Sequence, residues 1–168
     1  WLGLFERTRV GALTGEAVWD ADGGLVAVKS ARSQAAAGFL QRAGAIELGD
    51  VVIECGNEYG AIHVISLDDK PLRSSQKILI QAFTREQTYE FQTDEEGRII
   101  NIGRPPLNIE NVECRVIFKK RGEEKMQCVV ALDPNGYAEA KAVATESVGG
   151  GATAVVLPSD SLYTIIEY

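Results

Sequence analysis

A chain of 168 residues fits one domain that buries roughly 70% of its unfolded surface, and its 45% hydrophobic and 24% charged residues exclude a disordered or fibrous chain. The net charge of -7 repels phosphate backbones, so nucleic acid is not an expected partner. No apolar run approaches the roughly 20 residues of a membrane-spanning helix, and no membrane partner is expected.

The chain opens at Trp1 with neither Met nor a charged leader, so it reads as a single domain over residues 1–168 excised from a larger protein. At most one helical turn is expected, near Trp1 to Arg9. Gly15 to Asp20 and Leu25 to Ser30 flank Asp20-Ala21-Asp22-Gly23-Gly24, which predicts a hairpin. Ala35 to Leu40 reads as extended despite its alanines, because Gly38 and the neighbouring turns oppose a helix. Val51 to Cys55 follows the Gly49-Asp50 turn. Ala61 to Leu67 and Lys77 to Thr84 are the clearest strands, joined by a segment rich in the turn formers Asp68, Asp69, Pro71, Ser74 and Ser75. Both are apolar at almost every position, a pattern typical of strands in a sheet covered on both sides.

Tyr89 to Thr93 and Arg98 to Ile102 form a further hairpin around Asp94-Glu95-Glu96-Gly97. Pro105 and Pro106 are expected to stop the ladder, since proline lacks the N–H of a central strand. Val112 to Lys119 and Met126 to Leu132 resume it, ahead of the strong turn Asp133-Pro134-Asn135-Gly136. A polar strand from Lys141 to Glu146, a flexible tip at Gly149 to Gly151, and strands Ala152 to Leu157 and Leu162 to Tyr168 complete the chain. About a dozen short strands with regular turns predict an all-β fold, an antiparallel β-sandwich of immunoglobulin-like or jelly-roll-like kind.

The chemistry-bearing residues are few. His63 is the only histidine and alternates with Ile65 and Leu67 in a strand, so it reads as a hydrogen-bonded structural residue rather than a catalytic base. Cys55, Cys114 and Cys128 each interrupt an apolar strand and are expected to be reduced, buried and free of metal; no C-x-x-C or H-x-x-x-H pair presents two ligands together. Asp20-x-Asp22-Gly23 opens like a calcium loop but lacks the later ligands, Gly149 to Gly151 lacks the Lys-Ser/Thr of a phosphate loop, and no cofactor is expected. Lys119-Lys120-Arg121 reads as a solvated strand end. Sugar binding has better support: Trp19, Tyr59, Tyr89, Phe91 and Tyr137 are candidate stacking platforms, with Arg85 and Gln87 nearby. Tyr89 and Phe91, two residues apart, are expected to share a strand face. Arg32 and Gln34 are further candidates, with the alternative that they satisfy backbone groups of neighbouring strands.

The succession GEAVWDADGGLVAVKSARSQAAAGFL, GAIHVISLDDKPLRSSQKILIQAFT, PPLNIENVECRVIF, VVALDPNGYAEAK and LYTIIEY resembles a β-sandwich domain near the C-terminus of large bacterial glycoside hydrolases and related secreted proteins. The likeness rests on Trp19, on Ser30-Ala31-Arg32-Ser33-Gln34 where such domains carry a Thr-Pro-Arg-Thr-Gln-like segment, and on Ser66-Leu67-Asp68-Asp69-Lys70-Pro71 before Ile78-Leu79-Ile80. Ala31 stands in place of the Pro and Asp69 in place of the Gly. The resemblance implies a non-catalytic accessory domain of a polysaccharide-degrading enzyme, secreted or at the cell surface, whose partner is the catalytic domain of the parent chain. Two other readings stand beside it: an independent carbohydrate-binding module that stacks a polysaccharide on Trp19 or on Tyr89 and Phe91, and a small β-rich hydrolase.

Overall fold

The computed structural model describes residues 8–122 and 124–168, and in it the chain is an all-β antiparallel sandwich. The helical turn expected near Trp1 to Arg9 lies outside the described residues up to residue 7, and Arg9 itself begins a strand. Strands β1 (Arg9–Gly11), β2 (Ala17–Asp20), β3 (Leu25–Lys29) and β4 (Ser33–Gly38) form a meander that leads into a short helix α1 (Leu40–Ala43). Strands β5 (Ile46–Glu47), β6 (Val51–Cys55), β7 (Gly60–Ser66) and β8 (Lys77–Thr84) follow. Next come the short strands β9 (Glu86–Tyr89), β10 (Gln92–Thr93), β11 (Ile99–Asn101) and β12 (Arg104–Ile109). The chain closes with β13 (Cys114–Phe118), β14 (Cys128–Leu132), β15 (Ala138–Ala142), β16 (Thr145–Val148), β17 (Ala152–Val156) and β18 (Tyr163–Glu167).

A nine-stranded sheet in the order β1-β2-β3-β4-β7-β8-β18-β14-β15 packs on a five-stranded sheet in the order β16-β17-β13-β6-β5. The core between them is built from alternate residues. Ile62, Val64, Ile78, Ile80 and Ile166 come from the larger sheet, and Val51, Ile53, Val116, Phe118 and Val155 from the smaller. Period-2 alternation puts these on one face of each strand.

The β7–β8 hairpin forms as its apolar runs predict, with Ala61 opposite Phe83 and Ile65 opposite Leu79. Asp68 closes its connection: Oδ2 accepts the Gln76 N–H at 2.7 Å and Oδ1 the Ser66 hydroxyl at 2.9 Å. The Ser30 to Gln34 segment docks on the same turn. Leu72 N–H donates to the Ala31 carbonyl, Ser66 N–H to that of Arg32, and the Arg32 guanidinium meets Asp69 at 2.5 Å. Asp69 has a φ of 60°, a conformation that Asp tolerates better than most residues.

Three expectations are corrected. The ladder runs through Pro105 and Pro106, because they sit in β12 of an isolated two-stranded pairing, at a register shift between Arg104 and Leu107 where no ladder N–H is required. The polar segment from Lys141 to Glu146 is split, ending β15 and beginning β16, which lie in different sheets. Cys55 and Cys114 are neither reduced nor separate: they lie directly opposite each other on β6 and β13 with Cα atoms 4.0 Å apart and form a disulfide, while Cys128 is free and exposed. Partners 59 residues apart meet through strand register, which no local pattern reports.

Arg121 also departs from expectation. Its side chain is 6% exposed, lies 3.6 Å over the Tyr168 ring, and donates to the Arg73 and Ser75 carbonyls, so it is a buried tie rather than part of a solvated strand end. Desolvation pushes the Tyr168 phenol above its ordinary value.

The turn and the disulfide each lead to an expected outcome. The Asp68 carboxyl is held well below the usual carboxylate range, above all by the Gln76 N–H. A depressed folded value stabilises the fold above the unfolded value near about 4, and this contribution is lost as pH falls through the folded one. Asp68→Asn is therefore expected to be less stable than the parent near neutrality, with the gap narrowing in urea melts taken below about pH 4. Intact mass without reductant is expected to show the loss of two protons with alkylation at Cys128 alone. Replacing Cys55 and Cys114 together by Ser should cost about 4 kcal/mol, the chain-entropy value for a loop of 59 residues.

Candidate functional site

The two sheets present opposite kinds of outer surface. On the five-stranded sheet, Arg115 faces outward and pairs with Glu54 at 2.6 Å and Glu146 at 3.5 Å, the polar exterior expected of an antiparallel sheet in water. On the nine-stranded sheet the residues that alternate with the core are almost all apolar. One transverse row reads Trp19, Val26, Ala37, Ala61, Phe83, and the next Ala35, His63, Gln81, Tyr163, Leu132. A third reads Ser33, Ile65, Leu79, Ile165, Val130. All are half-buried or exposed, with Trp19 at 56% and Phe83 at 43%. At the end of the face beyond the third row the charges are paired, Lys77 with Glu167 and Arg32 with Asp69.

In the middle of this face lies a polar inlay that sequence reading did not assemble. The Ser33 oxygen is 2.7 Å from His63 Nε2, and His63 Nδ1 is 3.3 Å from Gln81 Oε1. A carbonyl oxygen only accepts, so Nδ1 carries the proton and the Ser33 hydroxyl donates to Nε2. The order is that of a serine nucleophile, but Gln81 has no charge to stabilise an imidazolium. The Ser33 N–H is spent on Ser30 Oγ, and the neighbouring strand donors are committed to the ladder, so this row has no oxyanion donors of its own. His63 is thus hydrogen-bonded on both sides within the sheet.

A second site lies at the end of the sandwich. Strands β9 to β12 leave the body after Thr84 as a two-stranded ribbon, β9 with β12 and β10 with β11, and return at Glu110. Arg85 fastens its base, reaching Glu58 at 3.1 Å and Glu110 at 3.2 Å. Hydrogen bonding from Arg85 holds the Glu110 carboxyl below its ordinary value, the wrong direction for a general acid. Along the ribbon, starting from Tyr59 of the body, runs an open cleft of about 1080 Å³, lined by Phe91, Ile102, Leu107, Gln87 and Asn108 among others.

The predicted sugar-binding residues are dispersed by the fold. Trp19 stands on the outer sheet face, Arg32 is committed to Asp69, and Gln34 is buried at 2% exposure. The Gln34 amide accepts the Asp50 N–H at 2.8 Å and donates to the Asp50 carboxylate at 2.9 Å, so it holds the Gly49-Asp50 turn and is out of reach of a ligand. Tyr89 and Phe91 do not share a face. Glu90 has a φ of 64° and the Phe91 N–H turns back to the Thr88 carbonyl, which breaks the alternation. Phe91 therefore lines the cleft, while Tyr89 lies against the Arg104 guanidinium, 5.7 Å from ring centre. Tyr137 is exposed beyond the Asp133 turn and is neither in the three rows of the sheet face nor in the lining of the cleft. Asp20 behaves as a turn residue, its Oδ1 accepting the Gly23 N–H at 2.8 Å.

Gln34→Ala is expected to cost about 1–3 kcal/mol, the penalty of a buried backbone donor left without its partner; chemical denaturation measures it. No protein-family model, curated protein or solved structure matches the chain.

Proposed function

We propose that this chain is a non-catalytic β-sandwich accessory domain of a polysaccharide-degrading protein, held against that protein's catalytic domain by the outer face of the nine-stranded sheet. The apolar rows running from Trp19 to Phe83 and from Ala35 to Leu132 carry this reading. A sheet face that ends in water alternates polar residues outward, as the Glu54, Arg115 and Glu146 side of the molecule does. The opposite face measures roughly 29 Å across seven strands and roughly 20 Å along them, about 600 Å². A patch of about 600 Å² is at the upper end of what a monomer exposes and is often functional, and it is about three quarters of the roughly 800 Å² per partner of a stable interface.

The uncharged rows, with the charges at one end paired, suit an uncharged, flat neighbour rather than a polyelectrolyte. The resemblance to C-terminal domains of large glycoside hydrolases supplies the class of neighbour. A secreted or cell-surface location belongs to the same proposal, and the Cys55–Cys114 bridge accords with an oxidising compartment.

Hydroxyl-radical footprinting tests the docking. Trp19, Phe83 and Tyr163 should be oxidised readily in the chain alone and protected when a catalytic domain is carried on the same polypeptide. Ala61→Glu, within the row from Trp19 to Phe83, should abolish that protection while moving the stability of the isolated chain by about 0.5 kcal/mol, as surface changes usually do. Equal oxidation in both contexts removes the reading, and so does release of reducing sugar by the chain alone from any glycan.

A further inference from the structure

The cleft along the β9–β12 ribbon begins beyond the row from Trp19 to Phe83 and shares no residue with it, and we propose that it is a binding site for a neutral polysaccharide chain. Its volume of about 1080 Å³ is on the scale of ligand clefts. Two aromatic residues line it, Tyr59 and Phe91, and Tyr59 is 48% exposed although Phe39 packs edge-on against it with ring centres 5.4 Å apart. A ring that merely filled space would be buried; this one is held in place and left open. Gln87 and Asn108, opposite each other across the ribbon, add two amides that make no side-chain hydrogen bond among the described residues.

The chemistry of the walls narrows the ligand. Arg85 is neutralised by Glu58 and Glu110, and Glu86 adds a carboxylate with no cationic partner among the described residues, so an anionic ligand is repelled. An extended peptide would pair with a free strand edge through its main chain. Such an addition would lie in the plane of the ribbon, at the outer edge of β9 or of β12, and would leave the Gln87 and Asn108 amides on its face unused. A wholly apolar molecule would leave the amides of Gln87 and Asn108 unused. A chain of uncharged sugar rings presents C–H faces to Tyr59 and Phe91 and hydroxyl edges to the amides, and it needs an open cleft rather than a closed pocket.

Affinity electrophoresis of the full chain in native gels containing xylan, barley β-glucan or alginate tests this, with thermal melts to confirm that each variant is folded. A neutral glucan or xylan should retard the chain and alginate should not. Tyr59→Ala and Phe91→Ala should each weaken retardation about ten-fold, the change expected from losing a stacking contact, and Gln87→Ala should weaken it as well. Tyr137→Ala and Trp19→Ala should leave it unchanged. The proposal is overturned by no retardation in any of the neutral gels, by equal retardation in alginate, or by retardation lost with Trp19→Ala and kept in folded Phe91→Ala. None of those outcomes touches the footprinting of the sheet face, so the two readings stand or fall separately.

Discussion

The pairing of β7 with β8 is the contact on which the rest of the molecule depends. Seven residue pairs from Gly60 opposite Thr84 to Ser66 opposite Ile78 align two runs that are apolar on both faces. Strand β4 then joins the free edge of β7, and β18 that of β8, so the whole nine-stranded sheet grows outward from this hairpin. Its register is secured at the turn, where Asp68 answers the Gln76 N–H and the Ser66 hydroxyl, and where Ala31 and Arg32 of the neighbouring loop accept N–H groups of the hairpin. A slip of one residue would exchange the two faces and carry His63 and Gln81 into the core, so this polar pair and the turn contacts together specify the register.

That two-sided character connects fold to function. Inward, Ile62, Val64, Ile78 and Ile80 meet the five-stranded sheet and close the core. Outward, Ala61, Ile65, Leu79 and Phe83 meet nothing comparable among the described residues, and Ser33, His63 and Gln81 form an island of satisfied polar groups within them. With both ring nitrogens bonded inside the sheet, the imidazole can face an apolar partner without the desolvation cost of an unpaired polar group.

The ribbon follows a different logic. A two-stranded ribbon is marginal in water by itself, and this one is secured at its base by Arg85 between two carboxylates and by Asn57. The buried Asn57 side chain donates to the Asn111 carbonyl and accepts the Glu113 N–H where the chain returns to the body. Gly103 permits the ribbon's irregular step, since a Cβ there would collide with the Tyr89 carbonyl. The ribbon is thus fastened at its base while the cleft along it stays open.

The division between what sequence and tertiary structure decide follows the range of the interactions. Strand positions, the hairpins at Asp20 to Gly24 and Asp68 to Ser75, and the all-β class were legible in the sequence because turn chemistry and apolar runs act over a few residues. The apolar faces of β7 and β8 were legible too, as a pattern that calls for cover on both sides. Pairings across distant strands were not legible, because register is settled by competition among many apolar runs. Only the fold could bring Cys55 to Cys114, place Ser33 against His63, or bury Gln34 on Asp50. The separation of Tyr89 from Phe91 likewise awaited the backbone, since one residue of positive φ at Glu90 reverses an alternation that the sequence alone would have continued.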